Sequence, residues 1–379
     1  MKRTSLWWRT VVAWAVAAAA VIAPVGSAGA ADGTTPPHLP NGFGLTQVAP
    51  AVGNAHDFYL TVTTPQVSGE QHIKIILPRG YYDDPDRRYP VLYFLHGSPD
   101  DPVDQTYPAL SMSDRMITVI PDGGARSWYA NWLNQKTVLG AQNWETFHLE
   151  QVVPFVDANL RTLATKKSRA VAGISMGGFG AFHYAQARPD LFGQTASLSG
   201  DIDLSANSMD LRMAVVASVT DALGAVCASS SGTCDPENSP YKPGVDSDAL
   251  FGSPYPVFNV DWRWNQVDPS QHMDRLRGIG ISIYTGDGGG SPLNPEFWVS
   301  GASKNVKARL DALGMPYYFV NYGDGSGWGT RCDGGALEQA VDEMAHRLGQ
   351  DPIALRRRWD GNPKRHALYD RAAALPVWS

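Results

Sequence analysis

The sequence predicts an α/β fold: a mostly parallel sheet with helices on both faces. Three observations lead there. Short, β-branched apolar runs alternate along the chain with amphipathic stretches. One of those runs stops at Gly173-Ile-Ser-Met-Gly177, a strand-to-helix turn signal. Some 350 residues remain once the first thirty are set aside, which suits one large α/β domain better than two unrelated ones.

The first thirty residues read as a signal peptide. Lys2, Arg3 and Arg9 precede an apolar run from Val11 to Val25, and Ser27-Ala-Gly-Ala30 supplies the small residues of a cleavage site after Ala30. The apolar run is short for a membrane span, and no lipobox cysteine is present. The expectation is therefore a secreted, extracellular protein, free or cell-wall associated, with no transmembrane anchor after cleavage. Removing residues 1–30 leaves 28 basic against 37 acidic side chains. Such an acidic balance argues against nucleic acid as a partner.

Residues 31–55 are rich in Pro, Gly and Ala and read as an extended leader. Strands are expected at Phe58–Thr63, His72–Leu77, Val91–Leu95, Met116–Ile120, Ala170–Ile174, Thr195–Leu198, Ile281–Tyr284 and Tyr317–Tyr322. Helices are expected at Glu150–Leu160, Gly178–Arg188, Ala302–Leu313 and Ala336–Leu348. The alternation lapses between Asp203 and Asp274, where Ser, Pro, Gly and Trp dominate. That stretch, 203–274, is expected to be a lid-like insertion within one α/β domain spanning 56–350. Residues 351–379 hold six bases and three acids and read as an irregular, solvated basic tail. No internal repeat is present.

The three cysteines bear on export. Cys227 and Cys234 flank a Ser/Gly/Thr loop, so an oxidising compartment would join them, leaving Cys332 as the odd one. No cysteine–histidine spacing suggests a zinc site, and nothing in the sequence calls for a metal or a cofactor.

Gly173-Ile-Ser-Met-Gly177 follows a strand and precedes a helix, the context of a nucleophile elbow. Such a turn lifts one serine hydroxyl, here Ser175, to its apex. The Met176 backbone N–H is then placed to hold an oxyanion. The apolar strand Val91–Leu95 runs into His96-Gly-Ser98, a small-residue turn suited to a second oxyanion donor, assigned to Ser98. His96 itself is expected to bond the backbone locally.

Leu95-His-Gly-Ser-Pro-Asp-Asp101, Trp128-Tyr-Ala-Asn-Trp132, Trp144-Glu-Thr-Phe-His148 and Gly173–Gly178 together resemble the esterase family that contains the antigen 85 mycolyltransferases. Trp262-Arg-Trp264, Asp268-Pro269 and Arg309-Leu-Asp-Ala-Leu-Gly-Met-Pro316 continue the resemblance, which covers roughly residues 55–350. It implies an α/β-hydrolase fold and a secreted serine esterase or acyltransferase working through an acyl-enzyme on Ser175. The implied partner is an acyl ester or glycolipid, with a cell-envelope glycan as a further one. It also implies that Ser98 and Met176 form the oxyanion hole and that Trp144 to His148 wall the site from beneath.

The chain departs from the family pattern at both other triad positions. The family acid is a glutamate on the helix before the last core strand. Counting back from Arg309 places it near Ser300 or Gly301, where no carboxylate stands. The family base is a histidine in a Gly-Thr-His-Ser-Trp loop after that strand. Here the loop reads Gly323-Asp-Gly-Ser-Gly-Trp-Gly-Thr-Arg-Cys332, so Ser326, Gly327 or Arg331 replaces the base. Asp287, at the end of Ile281–Tyr284, is the leading substitute acid, and Glu296 is a weaker one. His346 and His272 are candidate bases, while His148 and His183 are expected to satisfy core hydrogen bonds. The alternative function is a catalytically impaired paralogue that keeps a glycolipid or cell-wall binding groove.

Overall fold

The computed structural model describes residues 34–103, 110, 115–223, 239–292 and 294–323. Ten strands form one sheet: β1 Thr46–Gln47, β2 Val52–Gly53, β3 Asp57–Thr63, β4 Glu70–Ile76, β5 Val91–Leu95, β6 Ile117–Pro121, β7 Arg169–Ile174, β8 Gln194–Leu198, β9 Gly280–Thr285 and β10 Tyr318–Asn321. Their order is β1-β3-β4-β6-β5-β7-β8-β9-β10, with β2 pairing β3 at the edge. From β6 to β10 every pairing is parallel, and β1, β2, β3, β4 and β6 meet antiparallel. All eight expected strands are present, each within two residues of its expected start.

The parallel strands are apolar throughout because both faces are covered. In β5, Val91, Tyr93 and Leu95 join the larger core, while Leu92 and Phe94 join a second cluster with Ile76, Ala172, Ile174 and Tyr284. Side chains alternate across a strand, so a five-residue run feeds both layers.

The helices are α1 Trp144–Thr146, α2 Val153–Asn159, α3 Met176–Ala187, α4 Met209–Val219, α5 Trp262–Val267 and α6 Pro295–Ala312. A π-helical turn, Phe147–Val152, joins α1 to α2. Helix α6 starts seven residues before the expected Ala302. Asn294 caps it by accepting from the Glu296 N–H at 3.0 Å, and proline occupies its first turn. Helix α3 is almost wholly buried against β5, β7 and β8.

The stretch between β8 and β9 carries α4, α5 and a 3-10 segment, Pro269–Leu276. Arg212 and Asp261 pin it with a buried ion pair at 2.6 Å. It also presents Tyr255, Val257, Phe258, Val260 and Trp262 to solvent, Phe258 being 97% exposed. Residues 1–30, Cys227, Cys234, Cys332, His346 and the tail lie outside the described residues.

Candidate active site

Ser175 sits between β7 and α3 with φ 53° and ψ −122°. An L-residue adopts such a backbone only when its surroundings impose it, at a cost of about 1–3 kcal/mol. Here the surroundings do impose it. The Ser175 N–H donates to the Leu198 carbonyl at 3.0 Å, and its carbonyl accepts from Gly178 and Phe179. A Cβ on Gly173 would overlap the Gly177 carbonyl, and one on Gly177 would overlap that of Leu95. The turn therefore closes only with glycine at both positions.

The turn after β5 abuts the elbow. A Cβ built on Gly97 would lie 3.4 Å from the Ser175 Cβ. Ser98 Oγ donates to the Ala125 carbonyl and shares a 3.0 Å hydrogen bond with the Tyr241 hydroxyl. That fixes the turn by its side chain. Met176 is the first residue of α3, so its N–H has no acceptor within the helix.

The histidines divide by role. The Gly123 N–H donates to His96 Nε2 at 2.7 Å, and Nδ1 faces the Gly97 carbonyl at 2.8 Å. His96 is thereby a buried, local turn brace, as expected. His148 Nε2 donates to the Asp122 carbonyl at 2.9 Å, and Nδ1 accepts from the Tyr184 hydroxyl at 2.6 Å. Burial pushes its pKa down to about 3, so it stays neutral. His183 binds Glu145 at 2.8 Å and stacks on Phe179. His272 donates to the Asn265 carbonyl at 3.1 Å, and burial with the nearby Arg275 lowers its pKa. Among the described residues, Ser175 Oγ has no hydrogen-bond partner, histidine or otherwise.

The acid candidates separate clearly. Asp287 accepts from the Gly289 N–H at 2.9 Å, capping a tight turn after β9. Ser300 and Gly301 fall in the middle of α6. Glu296, in the first turn of α6, is fully buried. Its Oε1 accepts from the Gly286 N–H at 2.7 Å and from Ser199 Oγ, which also bonds the Tyr322 hydroxyl at 2.7 Å. Its Oε2 is buried with no hydrogen-bond partner among the described residues. Ser199 follows β8, Gly286 follows β9 and Tyr322 follows β10. Glu296 thus lies at the same end of the sheet as the elbow after β7. Asn294-Pro-Glu296 is the helix-start signature that places it there.

Asp201, two residues beyond Ser199, is a further buried carboxyl. Burial, reinforced by the charge of Glu296, pushes its pKa up to about 7. Along α6 a cavity of about 560 Å3 opens, lined by Phe297, Trp298, Gly301, Asn207, Asp210 and Asp287.

The chain is similar to an esterase of Mycobacterium tuberculosis, 38% identical over 43% of this chain and 36% of that protein. It is also similar to the diacylglycerol acyltransferase/mycolyltransferase Ag85B of Mycobacterium avium, 26% identical over 47% of this chain and 46% of that one. Both matches thus span less than half of the relative's length. The solved structure of Mycobacterium tuberculosis MPT51 superposes with a TM-score of 0.54, covering 79% of this chain and 98% of that one at 20% identity. The architecture is the expected mixed α/β-hydrolase arrangement. Residues 64–332, well over half of the sequence, match the Esterase family, and the chain belongs to that family.

Proposed function

We propose that the chain is a secreted serine esterase or acyltransferase, mycolyltransferase-like, that acts on acyl esters through an acyl-enzyme on Ser175. One observation carries the reading. A strained elbow serine after β7 and a fully buried glutamate at the start of α6, one of whose oxygens has no partner among the described residues, lie at the same end of the sheet. A buried carboxylate oxygen without a donor is costly. It suits a group that orients the N–H of an imidazole.

Each step except the proton transfer then falls to a named group. Ser175 Oγ attacks the acyl carbonyl while a base takes its proton; the tetrahedral intermediate then collapses, the ester C–O bond breaks and the alcohol leaves carrying that proton. The N–H groups of Ser98 and Met176 hold the oxyanion, and Glu296 orients the base. The acyl-enzyme is resolved by water or by an acceptor hydroxyl. The exposed Tyr255, Val257, Phe258 and Trp262 of the lid-like insertion support an apolar acyl chain or glycolipid as partner. Export would also join Cys227 to Cys234.

The alternative, a paralogue that binds without efficient turnover, is favoured by a single observation. No described imidazole meets Ser175, and the stretch Gly323–Cys332 contains none. Labelling by a fluorophosphonate separates the two. Labelling of the wild type that is abolished in Ser175→Ala supports the enzyme, rapid where a histidine serves Ser175 and slow, rising with pH, where none does. A wild type as inert as Ser175→Ala supports the binding protein.

A further inference from the structure

Beside the oxyanion turn, three side chains from three separate segments converge. They are His72 on β4, Asp101 in the turn after β5 and Asp122 at the end of β6, and their donor atoms all lie within 4.8 Å of one another. We propose that they form a divalent-cation site of zinc type that ties the turn after β5 to the neighbouring strands. The claim does not depend on the catalytic reading.

The spacing is that of a long hydrogen bond and leaves room for shared coordination. His72 Nδ1 and Asp101 Oδ2 are 3.3 Å apart. A charge-assisted N–H···O bond settles at about 2.7–2.9 Å. Two donors on one tetrahedral zinc, with bonds of about 2.0–2.2 Å, stand about 3.4 Å apart. The observed distance matches the second value.

The donors are also held from behind, as metal ligands are. The Val103 N–H donates to Asp101 Oδ1 at 2.6 Å, which leaves Oδ2 facing His72. The Gly124 N–H donates to Asp122 Oδ1 at 2.7 Å, and Asp122 Oδ2 lies 3.5 Å from the His72 backbone nitrogen. Tyr59 packs edge-on against the His72 ring, with centroids 5.3 Å apart.

Charge completes the argument. Among the described residues, neither carboxylate has a lysine or arginine partner; their ion-pair partners are His72 and His96 alone. The two carboxylates offer the negative charge that a divalent cation needs. One nitrogen and two carboxylate oxygens suit zinc, with open positions for water. Calcium asks for six to eight oxygens. Asp101 is three residues beyond Ser98, so a bound cation would fix the backbone of the proposed oxyanion donor.

The test uses the full chain, stripped with chelator and titrated with zinc by calorimetry, with calcium as comparison. The wild type is expected to take up one zinc per chain, with calcium binding at least tenfold weaker. His72→Gln and Asp101→Asn should each weaken zinc binding at least tenfold while unfolding at the wild-type temperature without metal. Zinc should also slow amide exchange across residues 97–103 in the wild type and in neither variant. No saturable zinc binding, equal affinity for calcium, or variants that bind as tightly as the wild type would overturn the proposal. Should one variant fail to fold, the other decides, because Asp101 and His72 are both partly exposed.

Discussion

Ser199 donates its hydroxyl to Oε1 of Glu296, and among the described residues Oε2 of that same carboxylate has no partner. The serine therefore fixes the rotamer of the glutamate and leaves one oxygen for another donor. If that donor is the catalytic base, Glu296→Gln should lower kcat for a short p-nitrophenyl ester by roughly two to four orders of magnitude, with the fold intact. Asp287→Asn serves as the control. Asp287 caps a turn, so its loss should change kcat less than about fivefold. Equal effects from the two substitutions would return the acid role to Asp287.

Asp201 makes a prediction about pH. Its pKa rises to about 7 in the folded protein, through burial and then through the Glu296 charge, against an ordinary value near 4 when unfolded. Between those values the folded state binds the extra proton, so stability falls as pH rises through this window, and the full cost persists above it. Asp201→Asn removes the cost. Its unfolding free energy should match the wild type near pH 4 and exceed it at pH 8 by on the order of a few kcal/mol. Urea denaturation at the two pH values checks this, and a gap that does not grow with pH contradicts it.

Much of this was legible in the sequence, for local reasons. The apolar runs of β5 and β7 and the glycines around Ser175 encode their own conformation, so the elbow and the parallel core could be read directly. Glu296 was harder. The family spacing pointed to Ser300 or Gly301, while the capping signal of Asn294 and Pro295 pointed to the true helix start. The contacts of Ser199 with Glu296 and Tyr322, and of His72 with Asp101, join residues 29 to 123 positions apart. No periodicity encodes such contacts; only the sheet order creates them.

The Arg212–Asp261 pair tests how the stretch between β8 and β9 is fastened. Both side chains are buried, at 0% and 3% exposure, and Arg212 also donates to the carbonyls of Leu204 and Pro254. Removing one partner strands a charge, so Asp261→Ala should cost about 3–5 kcal/mol in urea unfolding. Arg212→Met combined with Asp261→Leu should cost clearly less, because no charge is then left buried. A double variant as unstable as the single one would mean that the carbonyl contacts dominate.

The identity of the base sets the last prediction. Seven of the nine histidines fall among the described residues, and none of those seven contacts Ser175. His96 and His148 have both ring nitrogens engaged. A serine served by a histidine labels with a fluorophosphonate at a rate that rises with pH and levels off near the ordinary histidine pKa of about 6.5. A serine without a base reacts slowly, and its rate climbs with pH without that plateau. The expected outcome is the slow profile, because the stretch after Tyr322 offers Ser326, Gly327 and Arg331 where an imidazole is needed. Placing histidine at Ser326 or Gly327 then asks whether the unpaired oxygen of Glu296 can use it. If Glu296 orients the new ring, one of the two variants should gain a plateau and at least a tenfold faster rate at pH 7, and a further Glu296→Gln change should cancel the gain. Fast wild-type labelling would contradict the expected profile, and its loss in His346→Ala or His272→Ala, with folding intact, would identify the base.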